Sequence, residues 1–565
     1  GLRRCLAHRA ASLPKAFRIS KARSGFPAVS FAQISDCVTL GSSASWQMPA
    51  LRGGMNKQGA ISFFEDIETQ EPIMQMPEPD QAVIDRRETI CRDLRELVAA
   101  DCVIDSVEGR RAYDADGLSA YRQLPLAVVL PETVQQIAAV MKYCRSEGIK
   151  VVPRGSGTSL SGGALPLADA VLVGLGKFNR ILEVDYANRC VVAQPGVTNL
   201  AITHAVQADG FYYAPDPSSQ IACSVGGNVA ENSGGVHCLK YGLTTNNLLG
   251  IELVTIDGEI LRLGGKHLDA GDYDLMGVMT GSEGLLGIVS EVTLRILQKP
   301  ATQRALLVGF DDTGSAAKAV GDVIGAGIIP AGMEMMDGLA INAAEDFANA
   351  GYPRGAAALL IIELDGPEIE VNTLIDRVAK IMDCAGASSL KVSNSEEERN
   401  LFWAGRKSAF PAVGRISPDY LCMDGTIPRR RLPDMMVRMA SLSQKYGLRV
   451  ANVFHAGDGN LHPLILFDAN QPGELQRAED FGADILRACV EMGGVLTGEH
   501  GVGVEKRDLM GIQFTEDDMK QQQRLKCAFD ADHLLNPGKV FPHLHRCAEL
   551  GRLHVHKGKM PFPDL

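Results

Sequence analysis

The densest chemistry in this sequence lies in its last quarter. His455 and His462 flank the stretch Ala456-Gly457-Asp458-Gly459-Asn460-Leu461, and further on Glu499 and His500 sit inside Gly498-Glu499-His500-Gly501. Two imidazoles and a carboxylate are a ligand set for a divalent cation, and another imidazole is a general base near neutral pH. Together they suit a metal-assisted reaction. Which reaction depends on what the rest of the chain binds.

Something must bring these side chains together. Asn452-Val453-Phe454 leads into the glycine-rich stretch and Leu461–Phe467 leads out, with an Asp-Gly pair between, so the segment reads as a hairpin whose two histidines flank one turn. Around it, apolar runs at Ala305–Phe310, Ala358–Leu364, Val450–Phe454 and Leu464–Phe467 read as strands, and Ala316–Ile324, Ile369–Ala385 and Leu432–Tyr446 as amphipathic helices. That alternation predicts an α+β domain over 301–510. The run Met333-Glu334-Met335-Met336 reads as packing.

The first half has a different grammar. A leading helix is expected from Asp80 to Ala100, then strand Leu126–Leu130, a helix over Val134–Ser146 and strand Ile149–Pro153, a β-α-β unit. Further strands are expected at Ala170–Val173, Ile181–Asp185, Cys190–Ala193, Leu249–Thr255, Glu259–Leu263 and Ile288–Leu297. A loop of small residues follows the β-α-β unit directly: Pro153-Arg154-Gly155-Ser156-Gly157-Thr158-Ser159-Leu160-Ser161-Gly162-Gly163. Glycines let backbone N–H groups turn toward an anion and the hydroxyls add donors, which suits a diphosphate. The loop has neither the dinucleotide G-x-G-x-x-G nor the P-loop spacing. Pro215-Asp216-Pro217-Ser218-Ser219, Gly226-Gly227-Asn228-Val229-Ala230-Glu231-Asn232-Ser233-Gly234-Gly235 and Gly281-Ser282-Glu283-Gly284-Leu285-Leu286-Gly287-Ile288 repeat the theme. One elongated dinucleotide lying against backbone is the economical reading.

Composition bounds the rest. A chain of 565 residues, 45% hydrophobic, supports two or three cores. A net charge of −12 argues against nucleic acid as a partner. Thirteen cysteines without a C-x-x-C pair disfavour a disulfide framework, a zinc ribbon and an iron-sulfur cluster. No window reaches the roughly twenty consecutive apolar residues of a membrane span, so any membrane association is expected to be peripheral or through a partner. Residues 1–54 are Arg-rich with Asp36 as the one acid, and resemble an organellar transit peptide. Residues 1–76 are therefore set apart as a leader with no fold of its own.

The four small-residue loops resemble the FAD-binding domain of the vanillyl-alcohol oxidase and p-cresol methylhydroxylase superfamily. Trp403-Ala404-Gly405-Arg406-Lys407, His455–His462, Gly498–Gly501 and Leu535-Asn536-Pro537-Gly538-Lys539 resemble its D-2-hydroxyacid dehydrogenase branch, and Pro418-Asp419-Tyr420-Leu421-Cys422-Met423-Asp424-Gly425-Thr426-Ile427-Pro428 is similar to bacterial glycolate oxidase D subunits. The resemblance implies an α+β fold: a two-part FAD-binding domain over 77–300, a substrate or cap domain over 301–510 with an antiparallel sheet flanked by helices, and a segment over 511–565 returning to the first domain. It implies oxidation of a small 2-hydroxy acid, glycolate or D-lactate, to the 2-oxo acid, with the hydride passing to flavin N5. His500 would be the base, Arg406 the carboxylate clamp and Asn460 a contact near N5. His455, His462 and Glu499 would hold a divalent metal, zinc by ligand type, with manganese or iron as alternatives. From the small-residue loops Pro153, Arg154, Gly155, Ser156, Gly157, Thr158, Ser159, Ser161, Gly162, Pro215, Asp216, Ser218, Gly226, Gly227, Asn228, Ala230, Gly234, Gly235, Glu283, Gly284, Gly287 and Ile288, together with Asn536, would hold FAD, non-covalently, because no first-loop residue is the histidine that tethers flavin in some members.

Electrons would leave to a partner protein or quinone. The similar bacterial enzyme pairs with a second flavin-type subunit and an iron-sulfur subunit, which implies a cytoplasmic protein held at the inner membrane, or a mitochondrial one if residues 1–54 are a transit peptide. Relatives acting on hydroxy diacids carry Lys two residues before the Asp at 424; here Cys422 stands there, which favours a small monoacid. The rival readings are a D-lactate or D-2-hydroxyglutarate dehydrogenase acting alone, a flavin-dependent alkyl transferase, and a non-catalytic flavin-binding subunit. A lone histidine is most often a satisfied polar group, so His204, His237, His267 and His533 are read as structural, and His543, His545, His554 and His556 as a solvated tail.

Overall fold

A computed structural model describes residues 76–267 and 273–542; the basic leader and the tail histidines lie outside that range. The first sheet has four strands, in the order Val103–Ile104, Ala127–Val129, Ala170–Gly174 and Lys150–Arg154. Helix Val134–Ser146 starts where the Thr133 hydroxyl accepts the Gln136 N–H at 3.2 Å. It connects two strands that are not neighbours, because Ala170–Gly174 lies between them, parallel to both. All five residues of that central strand are buried, as a strand covered on both faces must be. The C-terminal stretch returns here: the Val151 N–H donates to Leu534 O and the Asn536 N–H to Val151 O, each at 2.7 Å. It is thereby stitched to the strand that feeds the first small-residue loop.

The second sheet is antiparallel, ordered Ile181–Asp185, Cys190–Ala193, Ile288–Arg295, Leu248–Val254 and Ile260–Gly264. Helix Val225–Glu231 places Val225 and Val229 in one apolar cluster with Val292 and Leu294 of the central strand. Its N-terminus, capped by Ser224, brings Ser224 and Gly227 beside Gly155 of the first loop.

The third sheet has seven antiparallel strands: Ser389–Val392, Thr302–Phe310, Ala358–Gly366, Gly332–Asp337, Val450–Phe454, Pro463–Phe467 and Asp419–Cys422. Side chains alternate across it. Leu306, Val308 and Phe310 enter a core shared with helices Thr313–Gly325, Glu368–Cys384 and Leu432–Tyr446, while Ala305 and Leu307 enter the opposite core with helices Gly338–Ala348 and Glu396–Lys407. Three of these strands, Gly332–Asp337, Ser389–Val392 and Asp419–Cys422, are not evident from the apolar pattern. The first is a run of methionines around an acid and the other two are four-residue strands at the sheet edges.

Candidate active site

Strands Val450–Phe454 and Pro463–Phe467 pair from Val450↔Ile465 to Asn452↔Pro463, which leaves residues 455–462 as the hairpin loop. Phe454 is fully buried, contributing about 1.5–3 kcal/mol to anchoring the loop. Gly459 has φ +80°, and a Cβ there would lie 2.2 Å from Ile427 O, so the turn admits only glycine. A bridge from His455 to Asn460 closes the loop. The His455 and His462 rings then stand 4.9 Å apart at 80°. Their Nε2 atoms lie 3.4 and 3.2 Å from the same oxygen, Glu499 Oε1.

Glu334 fixes the first of these rings. Met335 pairs with Phe454, and continuing that register sets Glu334 opposite His455. Glu334 Oε1 lies 2.7 Å from His455 Nδ1, so Nδ1 carries the proton it donates and Nε2 is left for a cation. Burial works against charge on this histidine, but Glu334 and Glu499 raise its pKa well above the usual imidazole value. Burial likewise opposes ionisation of Glu499, and its contacts with His455 and His462 outweigh it, holding the carboxyl well below its usual range. His462 Nε2 is buried and faces carboxylate oxygens, Glu499 Oε1 at 3.2 Å and Asp424 Oδ1 at 3.8 Å, without a well-aligned hydrogen bond among the described residues. An N, N, O set that converges on one carboxylate oxygen fits a divalent metal ion.

Asp424 positions the rest. Fully buried, it accepts N–H groups from Gly498 (3.0 Å), Glu499 (3.1 Å) and His500 (2.8 Å) at Oδ2, the Thr497 hydroxyl at the same oxygen, and Asn460 Nδ2 (3.1 Å) at Oδ1. One carboxylate therefore sets the backbone that carries Glu499 and His500 and orients Asn460. Ser161 Oγ donates to His500 O at 2.8 Å, tying the same loop to the first small-residue loop. The His500 ring stands 4.8 Å from that of His462. Burial lowers its pKa to about 4, against the pull of Asp424, so it is neutral at pH 7 and able to accept a proton.

These groups open onto a cleft of ≈ 400 Å³, within the range of small-molecule sites. Pro153 to Ser159, Ser218, Gly226, Gly227, Asn228, Ala230, Glu283, Gly284, Gly287 and Ile288 line it, and so do His462, Glu499 and His500. Among the described residues the amides of Gly155 to Leu160 donate to no protein acceptor. A row of unspent N–H groups on a cleft wall fits a diphosphate. Ser161, Gly162, Pro215, Asp216, Gly234, Gly235 and Asn536 do not line the cleft; several of them brace it. Asn536 Nδ2 donates to Gly163 O (3.0 Å) and Glu283 O (2.7 Å). Pro215 O accepts from Asn199 Nδ2, and a Cβ on Gly234 would lie 2.5 Å from Glu499 Oε2. Asp216 holds His237, whose other nitrogen faces Glu363 of the third sheet at 3.3 Å.

Arg406 lies beside His455 rather than on the cleft wall. It is 2% exposed, and its Nε and Nη2 reach Glu334 Oε2 at 2.9 and 2.8 Å. From the same helix Lys407 lines the cleft, with Phe410 and Pro411 beyond it. Glu231 also lines it; its Oε2 is buried without a partner, and burial beside Glu283 raises its pKa well above the carboxylate range. Glu334, Asp424, Glu231 and Lys407 were not among the expected site residues. Their signal is the sheet register and the loop contacts, and neither can be read from local sequence.

Two family models match the chain, an FAD binding domain over residues 125–264 and the C-terminal domain of FAD linked oxidases over 299–540. The chain is 56% identical to the glycolate oxidase subunit GlcD of Escherichia coli K12 over 85% of its own length and 96% of the relative's. It is 38% identical to the Bacillus subtilis GlcD, over 77% and 93%, and 29% identical to a D-lactate dehydrogenase of Anaerostipes hadrus, over 78% and 95%. Among solved structures, p-cresol methylhydroxylase superposes with a TM-score of 0.69 at 17% identity, covering 82% of this chain and 97% of that one. An alkyldihydroxyacetonephosphate synthase superposes at 0.64, also at 17% identity, over 82% and 87%. At that identity the likeness shows the fold, which both chemistries share, and not the reaction. The main-chain cradle, the closeness to glycolate oxidase subunits and the two matched domains together make the chain a member of the FAD-linked oxidases, an FAD-dependent oxidoreductase.

Proposed function

We propose that the protein oxidises a small 2-hydroxy acid, glycolate or D-lactate, to the 2-oxo acid. The observation that carries this reading is the convergence of His462, Glu499 and His500, with His455 behind them against Glu499, on the cleft whose other wall is the row of unspent loop amides. Bound along those amides, FAD supplies a hydride acceptor at N5 for the carbinol hydrogen. A divalent ion, zinc by its N, N, O donors with manganese or iron as alternatives, would be held by His455, His462 and Glu499 and would acidify the substrate hydroxyl.

His500 accepts that hydroxyl proton at Nε2, the nitrogen 4.0 Å from Glu499 Oε1, and its low pKa keeps it free to do so. Lys407, already on the cleft wall, draws the anion in, and Arg406 turns from behind that wall to hold the substrate carboxylate with the guanidinium edge that Glu334 leaves over. Asn460, fixed by Asp424, orients the carbinol near the flavin ring. Cys422, where a second cation would select a diacid, favours a monoacid. We place the domain limits at 77–300, 301–510 and 511–565, with the leader before them.

The two GlcD relatives are subunits by name, which supports an assembly with a second flavin-type subunit and an iron-sulfur subunit as electron acceptor. We place that assembly on the cytoplasmic face of the membrane. Among the described residues no helix is long and apolar enough to cross a membrane.

The test is anaerobic absorbance of the oxidised flavin while glycolate, D-lactate, L-lactate and D-2-hydroxyglutarate are added separately. Rapid bleaching by glycolate or D-lactate is expected. Bleaching by D-2-hydroxyglutarate alone would move the substrate to a diacid, and a flavin unchanged by all four would overturn the dehydrogenase reading in favour of a non-catalytic subunit.

A further inference from the structure

We propose that Cys422, His462 and His500 form a second metal site, of softer donors than the first, which disables the base when it is filled. Cys422 ends strand Asp419–Cys422 and pairs with Leu464, so Asp424 continues the register opposite His462. Cys422 and Asp424, two residues apart, address the same face of the sheet. That brings the thiol to the histidines: ligand atoms of Cys422, His462 and His500 all lie within 4.8 Å of one another. His500 Nδ1 is buried and has no hydrogen-bond partner among the described residues, and His462 Nε2, 3.2 Å from Glu499 Oε1, makes no well-aligned one. Cys422 and His462 are 5% and 3% exposed, so an ion here is shielded from competing water.

The two donor sets share His462 but differ in kind. His455, His462 and Glu499 offer N, N, O; Cys422, His462 and His500 offer S, N, N, which a thiophilic divalent ion such as Cd²⁺ or excess Zn²⁺ prefers. Binding displaces the thiol proton to solvent and forms a metal–sulfur bond. A neutral imidazole that gives one nitrogen to a metal keeps its proton on the other and can accept none. A filled site therefore removes His500 as a base and draws His462 away from the resident ion. The inhibitory consequence rests on the reading of His500 given above; the metal site itself does not.

The test is a Cd²⁺ titration of the FAD-loaded, metal-loaded protein and of Cys422→Ser, following the thiolate-to-cadmium charge-transfer absorbance together with turnover. Cys384 is an exposed thiol common to both proteins, so the difference between the two titrations isolates Cys422. The band should be absent or require about tenfold or more Cd²⁺ in the variant, since loss of a direct ligand costs at least what loss of an outer-shell partner does. Inhibition should shift in parallel. Cys422→Ala, which suits the surrounding apolar cluster, serves as the second variant, and retained flavin shows that each is folded. An undiminished band and an unchanged inhibition constant in both variants would overturn the site. A Cys422-dependent band without inhibition would uphold the site and overturn the assignment of His500 as the base.

Discussion

The two walls of the cleft are built on opposite principles. On one side the wall is main chain with few charges: the unspent amides of residues 155–160, and the glycines at the N-terminus of helix Val225–Glu231. On the other, His462, Glu499 and His500 present side chains, each held by another side chain or by a carboxylate that gathers backbone N–H groups. A main-chain wall tolerates changes of side chain but not of backbone shape. A side-chain wall depends on a few groups, and the carboxylates behind them matter almost as much as the groups that touch substrate.

The first way to break that contrast is to remove the base. His500→Ala should leave FAD bound, because the opposite wall holds it, while flavin reduction by substrate falls about 10²–10⁴-fold. Rapid-mixing absorbance measures both at once. If the flavin were lost along with reduction, the two walls would not be separable.

A smaller effect should come from behind the wall. Glu334→Gln keeps the shape but removes the charge that His455 and Arg406 share. Metal affinity should fall about 10–100-fold, the usual cost of losing an outer-shell partner. KM should rise with it as Arg406 loses its anchor, and FAD content should stay unchanged. Metal analysis after dialysis against graded chelator decides the point; an affinity equal to the wild type would make Glu334 a packing residue after all.

That alternative is how the sequence presents it, and the reason is physical. Glycine loops, a hairpin with Asp-Gly at its centre and histidines around it are local patterns, so the cradle and the clustered His455, His462 and Glu499 proposed as metal ligands stand out along the chain. Glu334 sits in Met333-Glu334-Met335-Met336, a strand buried on both faces, where no alternation marks one residue as different. Its partner lies 121 residues away and is found only through the pairing of Met335 with Phe454. Asp424 is similar: the motif around it is recognisable, but its task, gathering three amides and a hydroxyl of the Thr497–His500 loop, exists only once that loop has folded over it. Arg406 shows the converse. The resemblance makes it a carboxylate clamp, and only the fold reveals that a buried glutamate already holds its Nε and Nη2.

The main-chain wall has a buried charge of its own, and the smallest effect expected concerns it. Lys539 donates to Leu165 O (2.7 Å) and Asn536 Oδ1 (2.8 Å), and Asn536 in turn braces Gly163 and Glu283. Burial lowers the Lys539 pKa from 10.5 to about 7, against the pull of Asp116 and Glu283. Between those two values the unfolded chain binds more protons than the folded one, so stability rises with pH across the window, by at most about 1.4 kcal/mol per pH unit from this group. Below pH 7 the cost of burying the charge is present in full. Lys539→Met removes the titration and also leaves two acceptors unpaired, a penalty that does not vary with pH. Denaturant midpoints at pH 7, 8 and 9 should therefore climb more steeply for the wild type than for Lys539→Met. Parallel curves would mean that Lys539 keeps an ordinary pKa in the folded protein, and that the brace behind the main-chain wall holds a full positive charge.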